Sequence, residues 1–598
     1  MKLSKYPIKT SKDDPKDADM KSYRLMLRAG FLEQIASGVF VYLPLMRRVL
    51  RKVEQIVREE MDRAGAIELS MPILQPKELW EHTGRWQDYM DSGTMFHMKD
   101  RKKAEMGLAP THEEVITFVA SRRVKSHRDL PVNFYQIGTK FRDELRPRGG
   151  LVRTREFIMK DAYSFDADQK GLDASYEKMR VAYMAAFTRC GLKFTMVEAD
   201  SGAIGGSASH EFMVESEAGE DTLLLCDCGY AANLEKATSR IETPAQDDSK
   251  NLKHLEHTPN CRSVEELSKL FNMPAAKMVK TILYEARYKD GKEEVIAVLM
   301  RGDLEINEVK LAKSLGKPVA ALTIGRPEIV VEKTKAEVGF AGPIGLEDVR
   351  LIADTSVEPL HNFLCGGNKT DYHWLDVNIG RDFPIPPFVD LRNAKEGDQC
   401  SRCDGKLRTI RGIEIGHLFK LGDKYSRRPT GGDPTGLSAV YLDEKGKEQN
   451  ILMGCYGIGI TRIPVCALEQ ESDDKGMIWP SSISPYHLVI VVADNGDQEQ
   501  NFLAEKIYNE LSAKGVEVVL DDREERMGFK LNDADLIGYP YQLIVGRRSK
   551  NSGIVELKNR KTGEKEEIPA AEAVEKISAI IQEALKVMTE VKNNKSRF

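Results

Sequence analysis

Two segments concentrate side chains whose types and spacing could do chemistry. In the first, Phe141-Arg142-Asp143-Glu144 is followed by Arg153-Thr154-Arg155-Glu156-Phe157 and then Asp161. If two antiparallel strands are joined by the arginine-rich loop between them, period-2 alternation puts Arg142 and Glu144 on one side. It groups Arg153, Arg155 and Phe157 likewise. Such a face offers a rigid guanidinium for a phosphate, a carboxylate that accepts from an exocyclic amino group, and a ring on which a base stacks. Residues 140–160 hold seven basic and three acidic side chains in a chain of net charge −5. A solvated hairpin would carry such a charge run as well. In the second segment, Gly454-Cys455-Tyr456-Gly457-Ile458-Gly459-Ile460-Thr461-Arg462, three glycines precede an arginine. Glycines there let another group approach the backbone closely, with Arg462 beside it. Taken alone, that string is equally a packing device.

The elements that must position these residues follow from periodicity. Leu45, Val49, Val53, Ile56, Val57 and Met61 form one face of a long helix stopped at Gly65. Residues 66–71 alternate like a strand ended by Pro72, and strands are expected at Phe134–Phe141 and Glu156–Ala162. Residues 240–262 are polar and read as a linker. Beyond it, strand-like runs Val279–Tyr288 and Glu294–Met300 flank the turn Lys289–Lys292, and a helix-like stretch follows at Ile306–Leu315. After about Pro485 strands alternate with helices: Leu488–Ala493, Phe502–Leu511, Val516–Leu520 and Tyr541–Val545. That pattern predicts a small α/β domain.

With 598 residues the chain exceeds one core and should hold three or four domains. Its 30% charged and 41% apolar residues describe a globular rather than a disordered protein. No apolar run approaches the roughly 18 residues that a membrane span needs, so no membrane association is expected. The N-terminal stretch lacks a signal-peptide core, and nine cysteines are too sparse for a disulfide framework. The expected location is the cytoplasm.

Taken together, the helix and strand ending at Pro72, the arginine hairpin and the glycine run resemble the three motifs of class II aminoacyl-tRNA synthetases. Ala109-Pro110-Thr111-His112-Glu113-Glu114, Gly205–Phe212 and Gly416–Gly422 resemble segments of the bacterial prolyl-type members, and the likeness runs along essentially the whole chain. The resemblance implies an α+β fold. It comprises an antiparallel catalytic sheet with flanking helices, an inserted α/β editing domain and a C-terminal α/β anticodon-binding domain. The expected boundaries are 1–228, 229–399, 400–484 and 485–598. It further implies a homodimer that uses ATP with Mg²⁺ to join proline to tRNA(Pro). Arg142 would contact the α-phosphate and help place the carboxylate, Glu144 the adenine edge, and Phe157 would stack on adenine. Arg153 and Arg462 would hold the outer phosphates. Thr111 and Glu113, with His210, would receive proline, whose secondary ammonium has two N–H donors. His210 and His417 could each also be ordinary structural histidines. Arg146 and Arg148 would touch the acceptor stem.

A proline pocket rejects the smaller alanine by only about 10- to 200-fold, so a second, hydrolytic site is physically reasonable. By resemblance, Lys280, Asp354, His373, Gly342 and Thr258 belong to an editing pocket for alanyl-tRNA(Pro). The plainer alternative is a surface domain with an ion pair between Lys280 and Asp354. Cys226 and Cys228 open the insert, and Cys400 and Cys403 close it. Brought together, they would make a four-thiolate zinc site; thiols that simply pack are the other reading. In the C-terminal unit, Arg523 and Lys530 follow a strand end, where open sheets bind ligands. Residues 547–565 carry seven basic and two acidic side chains, read as a solvated face or as tRNA contacts. Two rival readings fit the same residues. One is a class II synthetase of another specificity, such as threonyl or seryl. The other is a nucleic-acid-binding regulator that has lost catalysis.

Overall fold

The computed structural model describes residues 1–7, 9–15, 18–202, 204–206, 208–244, 251–428 and 436–589. Ser207, in the Gly205–Phe212 segment, lies outside them. The chain divides into two compact units, Met1–Asp221 with Ile410–Phe598, and Thr222–Thr409.

In the first unit an antiparallel sheet carries the two motif segments. Strand Val132–Phe141 pairs with Glu156–Asp166, which pairs with Leu452–Gly459. Next come Arg408–Gly422, Ala208–Glu215 and Thr195–Glu198, all antiparallel. At the opposite edge Ile67–Glu68 adds a short parallel strand, much shorter than the alternation of residues 66–71 predicts. The predicted long helix spans Pro44–Arg63, with Pro44 in its first turn. Its apolar stripe is buried, and Gly65 follows at φ 79°. This helix and Gln169–Arg189 cover one face of the sheet, where Tyr135, Tyr183, Phe187, Phe212, Tyr456 and Ile458 pack together. On the other face Tyr163, Phe165, Phe419 and Met453 pack with Val115, Ile116 and Ala120, and the part around Phe157, Met159, Asp161, Gly457 and Gly459 stays open.

The C-terminal part of this unit holds parallel strands Leu488–Val492, Val518–Asp521 and Tyr541–Val545, then antiparallel Ile554–Asn559 and Lys565–Pro569. Its β-branched central strand is buried throughout, as a parallel strand covered on both faces must be. Leu520 N–H donates to the Met1 carbonyl at 2.9 Å, so the N-terminal residues extend this sheet's edge.

The second unit is a mixed sheet. In order, its strands are His254–His257, Tyr372–Val377, Phe363–Gly366, Met278–Tyr288, Glu293–Arg301, Arg350–Asp354 and Phe388–Val389, with Val319–Ile324 also paired to Met278–Tyr288. The strand pair flanking Lys289–Lys292 forms as predicted. The helix over Ile306–Leu315 is shortened to Glu308–Ser314, because Asn307 caps it by accepting from the Lys310 N–H at 3.1 Å. Among the described residues no helix is long and apolar enough to cross a membrane.

Candidate active site

The open face of the first sheet forms a cleft enclosing about 190 Å³, lined by Thr111, Glu113, Arg142, Phe157, Met159, Asp161, Glu414, His417, Cys455, Gly457, Gly459 and Arg462. Register explains the grouping. Gly457 sits opposite Asp161 and Gly459 opposite Met159, so missing side chains on one strand leave room above the other. Arg142 stands with its guanidinium 5.3 Å from the centre of the Phe157 ring, a cation beside an aromatic platform. Arg462 is fixed from behind: its Nε donates to the Val152 carbonyl at 2.9 Å and its Nη1 to Glu414 Oε2 at 3.1 Å.

Asp161 anchors the floor. Its carboxylate meets Lys140 Nζ at 2.7 Å and accepts from Gln136 and Tyr163 at 3.1 and 2.9 Å. Burial opposes that charge, but Lys140 and its neighbours hold the carboxyl below its ordinary range. Glu113, fully buried, accepts from Thr111 Oγ1 at 2.7 Å, Cys455 Sγ at 3.2 Å and Arg85 Nη1 at 3.1 Å. Again burial opposes the charge, and these donors keep the carboxyl low.

Three predicted residues do not line the cleft. Arg153 Nε donates to Glu144 Oε2 at 2.7 Å, so the two are each other's partners here. Neither lines the enclosed volume. His210 requires a correction. Its strand parity turns it to the covered face, where Nδ1 meets Tyr176 OH at 2.6 Å, and burial lowers its basicity. Its neighbours Ser209 and Glu211 face the cleft side, meeting His417 at 3.0 and 3.5 Å. Arg146 and Arg148 are exposed on the hairpin loop, with Arg148 paired to Glu220.

Sequence reasoning missed Glu414. His417 Nδ1 lies 3.3 Å from Glu414 and 3.5 Å from Glu211, an acidic cluster able to hold a cation. Burial works against the Glu414 charge, yet His417 and Arg462 pull its carboxyl well below the usual range. Strict alternation would put Glu414 and His417 on opposite faces. A bulge, where Phe212 pairs with Gly416 but Met213 with Glu414, brings them together. Arg85 was missed as well, since nothing in its local sequence marks it.

In the second unit a cavity of about 340 Å³ is lined by Lys280, His373, Leu364, Gly366, Ile324 and Val338 among others. Thr258 Oγ1 meets His373 Nδ1 at 2.7 Å, and Phe340 packs on the same ring at 5.5 Å between centroids. Burial lowers the imidazole to about 4, so it is neutral at pH 7. Gly342 is required: a Cβ there would lie 1.8 Å from the Gly366 carbonyl oxygen. Asp354 requires a second correction. It lines neither this cavity nor an ion pair with Lys280; it is buried and accepts from the Leu391 and Ser356 N–H groups at 2.7 and 2.8 Å, with Arg392 at 3.4 Å.

Cys226, Cys228, Cys400 and Cys403 converge, all four sulfurs lying within 4.8 Å of one another. Cys226 meets Cys403 at 3.5 Å and Cys228 meets Cys400 at 3.7 Å. A tetrahedral ion about 2.3 Å from each sulfur would space them about 3.8 Å apart, so the set fits one metal ion. Backbone N–H groups of Arg402 and Gly405 donate to Cys400 and Cys403, both at 3.3 Å, as thiolates in a metal knuckle need.

The C-terminal cations are committed internally. Lys530 is buried and donates to the Val492 carbonyl and Asn495 Oδ1, both at 2.8 Å, which corrects its expected role at a tRNA-facing surface. Arg523 is held by Asp521 and Asp533 at 2.7 and 2.8 Å.

Residues 96–471 match the family of the tRNA synthetase class II core domain (G, H, P, S and T), and residues 487–580 match an anticodon binding domain. The antiparallel sheet with its cleft and the appended α/β domain are those of a class II tRNA synthetase. The chain is 50% identical to the proline–tRNA ligase of Citrifermentans bemidjiense over 591 residues, covering 98% of this chain and 100% of that one. It is likewise 50% identical to that of Geobacter metallireducens over 587 residues, with the same coverage. The chain belongs to the proline–tRNA ligase family. Among solved structures, prolyl-tRNA synthetase from Cryptosporidium parvum complexed with L-proline and AMP superposes with a TM-score of 0.55 at 12% identity. That match covers 95% of this chain and 76% of the other. The Giardia lamblia enzyme in complex with prolyl-adenylate gives 0.55 at 14% identity, covering 94% and 79%. These two share the fold.

Proposed function

We propose that this chain activates proline with ATP and transfers the prolyl group to tRNA(Pro). The observation that carries this reading is one cleft holding Arg142, Phe157 and Arg462 together with the buried Thr111–Glu113 pair. Carboxylate attack on the α-phosphate needs charge neutralised and reactants aligned, not a covalent nucleophile. Arg142 meets the α-phosphate and the proline carboxylate, Phe157 takes the adenine face, and Arg462 takes the outer phosphates. Glu144 and Arg153 separate when the adenine edge and triphosphate arrive. Glu113 and Thr111 accept the two N–H groups of the proline ammonium. When bound, Mg²⁺ neutralises phosphate charge; Glu211 and Glu414 are the residues that would hold it.

The insert hydrolyses mischarged alanyl-tRNA(Pro). Lys280 reaches the tRNA end, His373, set by Thr258, lines the pocket, and Gly342 permits the close approach to the Gly366 backbone that shapes its wall. The four thiolates hold a structural zinc ion. The functional division follows 1–228, 229–399, 400–484 and 485–598. The working form is a cytoplasmic homodimer, with Arg146 and Arg148 against the acceptor stem and the C-terminal α/β domain on the anticodon.

Amino-acid-dependent ATP–pyrophosphate exchange across all twenty amino acids tests the reading. Exchange with proline above all others, and weaker exchange with alanine, is expected. Preference for another amino acid would keep the class but overturn the pocket assignment. Absence of exchange in folded protein with Mg²⁺ would favour a binding protein.

A further inference from the structure

Arg85 lies outside both motif segments, yet its guanidinium sits directly behind the proline-binding carboxylate. It is 2% exposed. Its Nη1 donates to Glu113 Oε2 at 3.1 Å and to Glu114 Oε1 at 2.9 Å, and its Nη2 to Tyr89 OH at 2.7 Å. The rings of Trp80, Tyr89 and Tyr425 cage it at 5.0, 4.9 and 5.3 Å. Neither Arg85 nor Glu114 lines the cleft, so both act through Glu113.

Two adjacent, buried carboxylates therefore share one buried cation. Their surroundings differ. Glu113 accepts from three side chains, whereas Glu114 accepts from Arg85 and from Thr83 Oγ1 at 2.8 Å, both on Oε1. Glu114 Oε2 is buried with no hydrogen-bond partner among the described residues. With both carboxylates ionised the set would carry an uncompensated negative charge, which a dry interior penalises. With a proton on Glu114 it is neutral. Burial accordingly raises the Glu114 carboxyl while Glu113 is held low. Arrival of the proline ammonium at Glu113 adds one positive charge to that neutral set.

We propose that Arg85 and Glu114 are positioning residues for proline recognition: Arg85 locks the Glu113 carboxylate toward the cleft, and Glu114 releases a proton as the ligand's ammonium arrives. The Glu114 O–H bond breaks, the proton passes to solvent, and the new carboxylate stays paired with Arg85 and Thr83. This rests on Glu113 being the ammonium acceptor, as proposed above. The other titratable or charged groups facing this cluster are Tyr89, Tyr425, Cys455, Tyr163, His112 and Arg142.

The test is calorimetric titration of proline into the full chain at pH 7, in two buffers of unlike ionisation enthalpy. Up to one proton released per proline bound is expected for the wild type, and none for Glu114→Gln. Alongside it, Arg85→Lys should raise the KM for proline in pyrophosphate exchange about 10- to 150-fold, the weight of a charge-assisted hydrogen bond, and leave the KM for ATP within twofold. Equal proton release in Glu114→Gln would overturn the proposal. So would an Arg85→Lys chain whose KM for proline is unchanged, or whose KM for ATP rises equally. A wild type that exchanges with an amino acid other than proline would overturn the parent reading instead, which separates the two failures. Thermal melting of both variants distinguishes loss of fold from loss of position, and Glu114→Gln, isosteric with the protonated acid, keeps the test decisive if Arg85→Lys unfolds.

Discussion

Lys160 sits on the strand that carries Phe157 and Asp161, but its side chain enters the covered face. Its Nζ donates to Tyr183 OH at 2.5 Å and to the Tyr456 carbonyl at 3.0 Å, and it is fully buried. Burial, the dominant cause, lowers its basicity from the ordinary 10.5 to about 7. Between those pH values the unfolded chain binds a proton that the folded chain has lost. Stability from this group is therefore complete above pH 10.5, falls as pH drops toward 7, and is flat below. At 1.36 kcal/mol per pH unit, the window integrates to about 5 kcal/mol. Replacing Lys160 by Met removes this slope while leaving Tyr183 OH and the Tyr456 carbonyl without their donor, a pH-independent cost of about 1–3 kcal/mol each. The variant should thus gain on the wild type progressively as pH falls from 10 to 7. Urea midpoints of both proteins over that range, converted with a common m value, measure the difference. A stability gap that stays constant with pH would refute the reasoning and mean that the ammonium keeps its charge in the folded chain.

Other outcomes follow from the same geometry. Phe157→Leu should raise the KM for ATP about 5- to 150-fold, the worth of one stacked base, and leave the KM for proline nearly unchanged; exchange kinetics read both. Gly342→Ala puts a methyl group where the Gly366 carbonyl stands, forcing the two backbones apart by more than about 1 Å. Deacylation of preformed alanyl-tRNA(Pro) should fall about 100-fold while proline-dependent exchange continues. Cys403→Ser should lower zinc from one ion per chain to well under one by elemental analysis, and quicken tryptic cleavage between residues 222 and 409.

Much of the architecture was legible because it rests on local rules. The helix Pro44–Arg63, the hairpin strands and the C-terminal strand Tyr541–Val545 each follow from apolar periodicity and a glycine or proline boundary. The cleft was legible where alternation alone decides the face, as for Phe157. It failed where another constraint intervened. His210 was placed by its segment rather than by its parity, and parity sends it to Tyr176. Glu414 joins His417 only through a bulge. Arg85 reaches Glu113 from a separate helix, a tertiary meeting that no spacing encodes. Lys530 was read as a tRNA contact because loops after the strand ends of open sheets bind ligands; here the Val492 carbonyl and the Asn495 side chain take its ammonium inside.

The meeting of Cys226 with Cys403 joins positions 177 residues apart at a sulfur separation of 3.5 Å. To the rest of the chain, whatever lies between those cysteines is a loop with its two ends tied at one point. Closing a loop costs entropy that grows only with the logarithm of its length, so a domain so tied costs only about 3 kcal/mol more to close than a four-residue turn. Lengthening or shortening such a segment between its tied ends changes the closure entropy little. A chain that joined residue 225 to residue 404 through a short turn would give up the strand Ala231–Asn233 but keep every residue that lines the cleft, so it should retain proline-dependent exchange.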